Sequence, residues 1–275
     1  MSIYRKEEMS RLVKWVFGLP LIVILFLALS LAMPAQASGY RMVLALNIIS
    51  YTVFLAVALI VVKYFLKFPL IRLFWSGRSF SPRNLFLGFG TMFVLGLGTT
   101  FIWKAISPKS FSFSLQAGWP LDFLLSLVVV VLAGVLEELL CRAYIAYFVK
   151  DEIETDPKRR ILYCLASGLV FMAFHFQNPE TASKGFVYAY VFYFIMGFSL
   201  MAVYMATGGI EAPLGIHIAN NLVNAWFFTY PDAALRTNAV FTHDAGPGPA
   251  LLLQAVVCIT LSALAVLKFK TSEKD

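Results

Sequence analysis

A chain of 275 residues in which 60% of side chains are hydrophobic and 13% are charged, with a mean hydropathy of +0.79, has too little polar surface to cover a water-soluble domain. Its solvent is lipid for most of its length. The net charge of +7 therefore does not point to nucleic acid, because the basic residues gather at the ends of apolar runs, where they orient a membrane protein and touch anionic headgroups.

A spanning helix needs about 20 mostly apolar residues, since each rises about 1.5 Å through a hydrocarbon layer of about 30 Å. Eight stretches meet or approach that length: 12–33, 42–66, 85–106, 121–149, 161–177, 186–206, 212–230 and 250–269. They predict an all-α polytopic bundle, a single transmembrane domain over 1–275. It comprises three N-terminal helices over 1–110, a core over 120–230, and a last helix with a basic tail over 248–275. In the first stretch, Arg5, Lys6, Arg11 and Lys14 precede an apolar run that leads to Ala35-Gln36-Ala37, a pattern a cleavable signal peptide shares. The run is long for a signal core, so it reads as an uncleaved helix. The linkers carry turn residues at Met33-Pro34, Ser76-Gly77, Ser107-Pro108, Gly208-Gly209 and Gly246-Pro247-Gly248-Pro249. Cys141, Cys164 and Cys258 all fall inside apolar stretches and read as buried thiols rather than a disulfide framework.

Alternate loops differ in basic residues. With a cytoplasmic N-terminus, sixteen Lys and Arg flank the inner side, from Arg5 to Lys274, against Arg41, Lys104, Lys109, Lys184 and Arg236 on the outer side. That asymmetry predicts both termini inside and an even number of spans. The compact, almost loop-free design suggests a prokaryotic plasma membrane.

Ionisable groups within a bilayer cost about 2.5 to 3.5 kcal/mol each on the insertion scale, so each needs a reason. The fourth stretch contains Glu137-Glu138-Leu139-Leu140-Cys141-Arg142, the fifth Phe171-Met172-Ala173-Phe174-His175, and the seventh His217-Ile218-Ala219-Asn220-Asn221. Glu138 and Arg142 are four apart and share a helix face, which fits an ion pair that locks helices together. Glu137, rotated about 100° from it, has no local cation and is available as a general base. His217 and Asn221 also share a face, with Asn220 able to replace Asn221 if the helix is distorted. His175 comes from the helix next in sequence to that of Glu137, and so is expected beside it. A carboxylate, two imidazoles and an amide facing one cavity could activate water and stabilise an oxyanion. Any one of them alone could equally serve interhelical hydrogen bonding. His243 beside Asp244 falls in a polar loop and carries no role, while Trp15, Trp75, Trp103, Trp119 and Trp226 read as interfacial anchors.

Taken in order, Glu137-Glu138-x-x-x-Arg142, Phe171-x-x-x-His175 and His217-x-x-x-Asn221 preceded by Pro213 resemble the three-motif signature of the CAAX prenyl endopeptidase and bacteriocin-processing (CPBP, Abi) family of intramembrane proteases. The resemblance spans about residues 120 to 230. It implies proteolysis in or at the edge of the membrane on a peptide or protein substrate, with Glu137 activating water, His175 assisting, and His217 and Asn221 binding the oxyanion or the water. Glu138 and Arg142 are implied as supporting residues. Cys141 stands where the family pattern suggests an aromatic residue, which concerns packing. The cofactor is open: zinc could take Glu137, His175 and His217 with water as fourth ligand, although the metal-free, glutamate-dependent reading is favoured.

No His-Glu-x-x-His, Gly-x-Ser-Gly or membrane aspartate pair is present to suggest another protease class. A non-catalytic membrane scaffold or bacteriocin-immunity factor of the same family is the alternative, and an ion-coupled transporter is disfavoured by the lack of repeats. One tension stands. Glu137 lies about 25 Å along its helix from the outer end and His175 about 20 Å from the inner end of its own, depths that meet only if helices tilt, break or project beyond the bilayer.

Overall fold

Backbone in lipid must satisfy its own hydrogen bonds, so long apolar runs become helices. The computed structural model describes residues 3–30, 39–75, 79–147, 156–182, 186–244 and 248–271. The helices are α1 (Ile3–Ser30), α2 (Tyr40–Ile60), a short α3 (Leu70–Trp75), α4 (Pro82–Ile106), α5 (Trp119–Glu138), α6 (Pro157–Phe174), α7 (Phe186–Thr207), α8 (Glu211–Leu222) and α9 (Pro249–Thr271). The eight long ones are the eight expected, and the fold is all-α and polytopic. Met33-Pro34, Ser76-Gly77 and Gly246-Pro247 lie outside the described residues, as do Val149, Lys150 and Lys184.

Among the described residues, five segments are long and apolar enough to cross a membrane: Tyr40–Phe65, Pro82–Ile106, Trp119–Tyr147, Phe186–Thr207 and Pro249–Phe269. The protein is therefore an integral membrane protein. Three helices fall short: α1 has a shorter apolar run, Val13–Leu25, among the residues described, α6 opens on Pro157-Lys158-Arg159-Arg160, and α8 has 12 residues.

Local sequence sets the ends. Pro82 and Pro157 sit at first helical positions, where a missing N–H costs nothing, and the Ser81 and Asp156 side chains accept backbone N–H groups of Asn84 and Lys158 at 3.3 and 2.9 Å. The α6 helix stops at Phe174, short of the expected 177, and His175 takes φ −102° and ψ 7° at its end. Asn178, next to Pro179, is extended at φ −67° and ψ 142°, as a residue before proline prefers. The α8 helix likewise ends at Leu222 and passes through a π-helical turn, Val223–Phe227, into a strand.

Close packing places α4 against α8 and α6 against α7, with α5 between α2 and α8. At Gly88 an added Cβ would overlap the Ala212 carbonyl oxygen, and at Gly215 it would overlap that of Leu85. Small residues let these two backbones touch, the common device where lipid supplies no hydrophobic drive between helices. Leu136, Leu139, Leu140, Met196, Leu200 and Ile216 form the centre of the core on α5, α7 and α8.

A three-stranded sheet closes one end: β1 (Phe111–Phe113) pairs antiparallel with β3 (Phe241–His243), which pairs parallel with β2 (Phe228–Thr229). Its strands come from the α4–α5 and α8–α9 connections, so those four helix ends share one side of the bundle, as alternation of spans requires. His243, expected in a polar loop, is instead buried in β3, its ring 4.4 Å from that of Trp103 and 4.6 Å from that of Phe111. Strand alternation turns it inward. Two of the expected interfacial tryptophans also bond within the bundle: Trp15 Nε1 donates to the Tyr144 carbonyl at 2.9 Å and Trp226 Nε1 to Ser126 Oγ at 3.0 Å.

Candidate active site

The α5 helix does not end at Glu138 but widens into a π-helical turn, Leu139–Tyr144, and runs on to Tyr147. Single π-turns inside α-helices are frequent at functional sites because they re-aim side chains within a continuous helix. The Ser167 hydroxyl donates to the carbonyl of Cys141 in this turn at 2.8 Å. With 29 residues, Trp119–Tyr147 is about 44 Å long and overhangs a hydrocarbon core of about 30 Å. Depths counted from helix ends therefore do not start at the bilayer edge, which removes the apparent mismatch between Glu137 and His175.

The two adjacent glutamates have different surroundings. Glu138 and Arg142 are fully buried and pair at 3.1 Å. The guanidinium also lies over the Phe171 ring at 4.5 Å, while its nitrogens lack hydrogen-bond geometry. Glu138 makes a second contact that the sequence did not disclose: its Oε1 lies 2.8 Å from His217 Nδ1. A ring nitrogen 2.8 Å from a carboxylate carries the proton, so the other nitrogen, Nε2, is turned toward Glu137.

Glu137 Oε2 lies 3.6 Å from His217 Nε2 and 3.7 Å from His175 Nε2. That oxygen is buried without a hydrogen-bond partner among the protein atoms, although the Glu137 side chain as a whole is 16% exposed toward the cavity. His175 is fixed in the same sense as His217, because its Nδ1 lies 2.7 Å from the Phe171 carbonyl one turn back. The Phe171 ring touches both imidazoles, with centroids 4.5 Å from His175 and 5.6 Å from His217, and so acts as the spacer between them.

Glu137, His175, His217 and Asn221 line one cavity of about 810 Å³. Asn221 stands on its wall through a hydrogen bond from Asn220 Nδ2 at 3.0 Å, and Asn220 and Asn224 line it too. The structure thus brings Glu137, His175 and His217 into contact range and sets Asn221 on the same wall. The rest of the lining includes Tyr51, Phe54, Val130, Ala133 and Leu252, an apolar groove with a polar end, the usual make-up of a site that binds an apolar segment and holds it by a few polar groups.

Two buried acids were missed in the sequence. Glu180, in the short helical turn after α6, is buried and accepts from the Tyr193 hydroxyl and from Asn178 Nδ2, the latter at 3.3 Å. An acid one residue past Asn178-Pro179 is no more than a turn residue by sequence. At the other end of α5, Asp122 is buried at 1% exposure, although the first residues of a span read as solvated.

Among the described residues no group of three or more His, Cys, Asp or Glu side chains stands in an arrangement that could hold a metal ion. The zinc set Glu137, His175 and His217 does not fit as a ready-made site here, and the chemistry below uses only the chain's own groups.

The segment carrying these residues can be placed among known proteins. Residues 119–223 match the type II CAAX prenyl endopeptidase Rce1-like family. This is the family of membrane proteases to which the three motifs point, and the matched span contains every motif residue named above. The chain is also 29% identical over 170 residues to the uncharacterised protein YyaK of Bacillus subtilis (strain 168), a match that covers 61% of this chain. It spans about half, 55%, of the length of that relative. No solved structure matches.

Proposed function

We propose that this protein is an intramembrane endopeptidase that hydrolyses a peptide bond in a membrane-associated or lipidated peptide or protein, using water activated by Glu137. The observation that carries the proposal is the unsatisfied Glu137 oxygen, 3.6 Å and 3.7 Å from two imidazole nitrogens on a cavity wall. Such separations are too long for direct hydrogen bonds and suit groups that share a bound water. The likeness of residues 119–223 to the Rce1-like family supports the same reading.

In the proposed reaction a water contacts Glu137 and His175. Glu137 takes one proton as the water oxygen bonds to the peptide carbonyl carbon. The resulting oxyanion is stabilised by the Asn221 amide N–H, which is held in place before the charge develops, while His217, oriented by Glu138, accepts from the water through Nε2. As the carbon–nitrogen bond breaks, Glu137 returns its proton to the departing nitrogen. The products are a carboxylic acid and an amine, and the enzyme is regenerated. Glu138 and Arg142 support this by orienting His217 and by neutralising each other. The basic-residue asymmetry supports both termini on the cytoplasmic side, and the compact, almost loop-free design supports a prokaryotic plasma membrane.

The test is hydrolysis of a quenched fluorogenic peptide library with apolar flanks by the protein in proteoliposomes. Wild type is expected to cleave and Glu137→Gln to be inactive with an unchanged melting temperature. Equal turnover by the variant removes Glu137 as the base. A variant that melts earlier while the cellular phenotype persists favours the scaffold reading.

A further inference from the structure

The proposed mechanism uses Glu137, His175, His217 and Asn221 and leaves one buried cluster beside them without a task. It sits in the turn after α6 and on α7. The Tyr193 hydroxyl donates to Glu180 Oε1 and accepts from Asn178 Nδ2 at 2.9 Å, and the same amide reaches Glu180 Oε1 at 3.3 Å. All three residues line the cavity. The Tyr193 ring in turn lies flat on the His175 imidazole, with centroids 4.0 Å apart and planes 24° apart.

The turn itself is rigidly built. Thr181 Oγ1 donates to the Phe176 carbonyl at 2.9 Å and to that of Asn178 at 2.7 Å, and the Asn178 and Thr181 backbone N–H groups close successive turns onto His175 and Asn178. Glu180 is thus held by a stapled turn rather than by a long free side chain. A carboxylate so fixed sets the position of the phenol, and the phenol sets the plane of the imidazole. The ring of His175 needs this because, among the described residues, its one ring hydrogen bond is Nδ1 with the Phe171 carbonyl at 2.7 Å. One hydrogen bond leaves a ring free to swing about it, and a stacked neighbour removes that freedom.

We infer that Glu180, acting through Tyr193, is a positioning residue for His175: it holds the imidazole so that Nε2 faces Glu137. The inference rests on the protease reading for its kinetic consequence but not for its structural one. Glu180 reaches His175 through the Tyr193 ring, so it is a positioning residue rather than a catalytic one. Its effect falls on the geometry of the proton transfer, and misplacement by about 1 Å can cost about 10²-fold in rate.

The experiment compares Glu180→Ala, Glu180→Gln and Tyr193→Phe with wild type in proteoliposomes, by two readouts. In the fluorogenic assay, Glu180→Ala is expected to lower kcat by about 10- to 100-fold with KM changed little. Glu180→Gln keeps an acceptor for the phenol and restores most of kcat, and Tyr193→Phe, which keeps the ring and loses its tether, falls between. The second readout is NMR of the imidazoles, tractable because the chain has three histidines. The His175 ring protons carry an upfield shift from the Tyr193 ring that Glu180→Ala diminishes and Glu180→Gln retains. A wild-type kcat in Glu180→Ala overturns the inference, as does a raised KM with kcat unchanged, which would make Glu180 a substrate contact. An unshifted His175 signal in Glu180→Ala also overturns it. If no peptide is cleaved by wild type, the protease reading fails while the NMR comparison still decides whether Glu180 places the ring.

Discussion

The α5 helix carries a buried carboxylate near each end of its length, and the two have opposite surroundings. Asp122 receives Arg41 Nε at 2.6 Å, Arg41 Nη2 at 3.3 Å, Tyr40 OH at 3.1 Å and Asn238 Nδ2 at 2.8 Å. It ties the start of α2, the start of α5 and the loop before β3 into one clasp. Glu137 Oε2 has no hydrogen bond and two imidazole nitrogens at 3.6 and 3.7 Å. Burying a carboxylate is unfavourable, and a chain offsets it either by filling every lone pair, as at Asp122, or by leaving room for a mobile partner, as at Glu137. Satisfaction of the lone pairs, rather than burial, separates the structural acid from the one available for chemistry.

Neutralising each acid in turn should separate their roles. Glu137→Gln is expected to reduce peptide hydrolysis by about 10²- to 10⁴-fold, a barrier increase of about 3 to 5 kcal/mol, with the melting temperature unmoved. A fluorogenic assay and thermal scans on the same preparation check both halves. Next comes Glu138→Ala, which should affect stability and activity together. It strands the fully buried Arg142, a loss of about 3 to 5 kcal/mol, and frees His217 Nδ1 from its acceptor. Denaturation in detergent and residual turnover of the folded fraction report the two effects. If stability is unchanged, Arg142 has another partner and the division of labour between adjacent glutamates is wrong.

Smaller effects belong to the clasp. Asp122→Ala is expected to cost about 1 to 3 kcal/mol by removing the acceptor that Arg41, Tyr40 and Asn238 share, while kcat per folded molecule stays at the wild-type value. A kcat loss as large as that of Glu137→Gln would erase the distinction. The smallest is Asn238→Ala, which removes one of several donors to Asp122 and should cost about 1 kcal/mol, measurable as a modest fall in melting temperature.

How much of this was legible beforehand depends on the range of the interaction. The eight helices follow from apolar runs, five of which among the described residues are long enough for a bilayer, and the Glu138 to Arg142 pair from a spacing of four. The ends of α6 and α8 are not legible in the sequence because Phe176 and most residues after Leu222 are apolar, and hydrophobicity does not register that Asn178 precedes proline or that the chain switches to a strand at Phe228. Asp122 was passed over for a related reason: its partner Asn238 is 116 residues away, and nothing local announces it. Tyr193 is one aromatic among many in α7, and its role appears only once its ring is seen lying on His175.

By itself the sequence determined that this is a membrane bundle, where its helices lie, and which residues are too polar to be there without a reason, because those properties are set by transfer energies and short periods along one chain. Tertiary structure alone decided that Glu138 holds His217 across 79 residues of sequence, that Glu137 keeps an oxygen unfilled while Asp122 does not, and that Glu180 stands behind His175. These depend on the depth and rotation at which separate helices meet. Packing at places such as Gly88 and Gly215 fixes that register, and no local pattern encodes it.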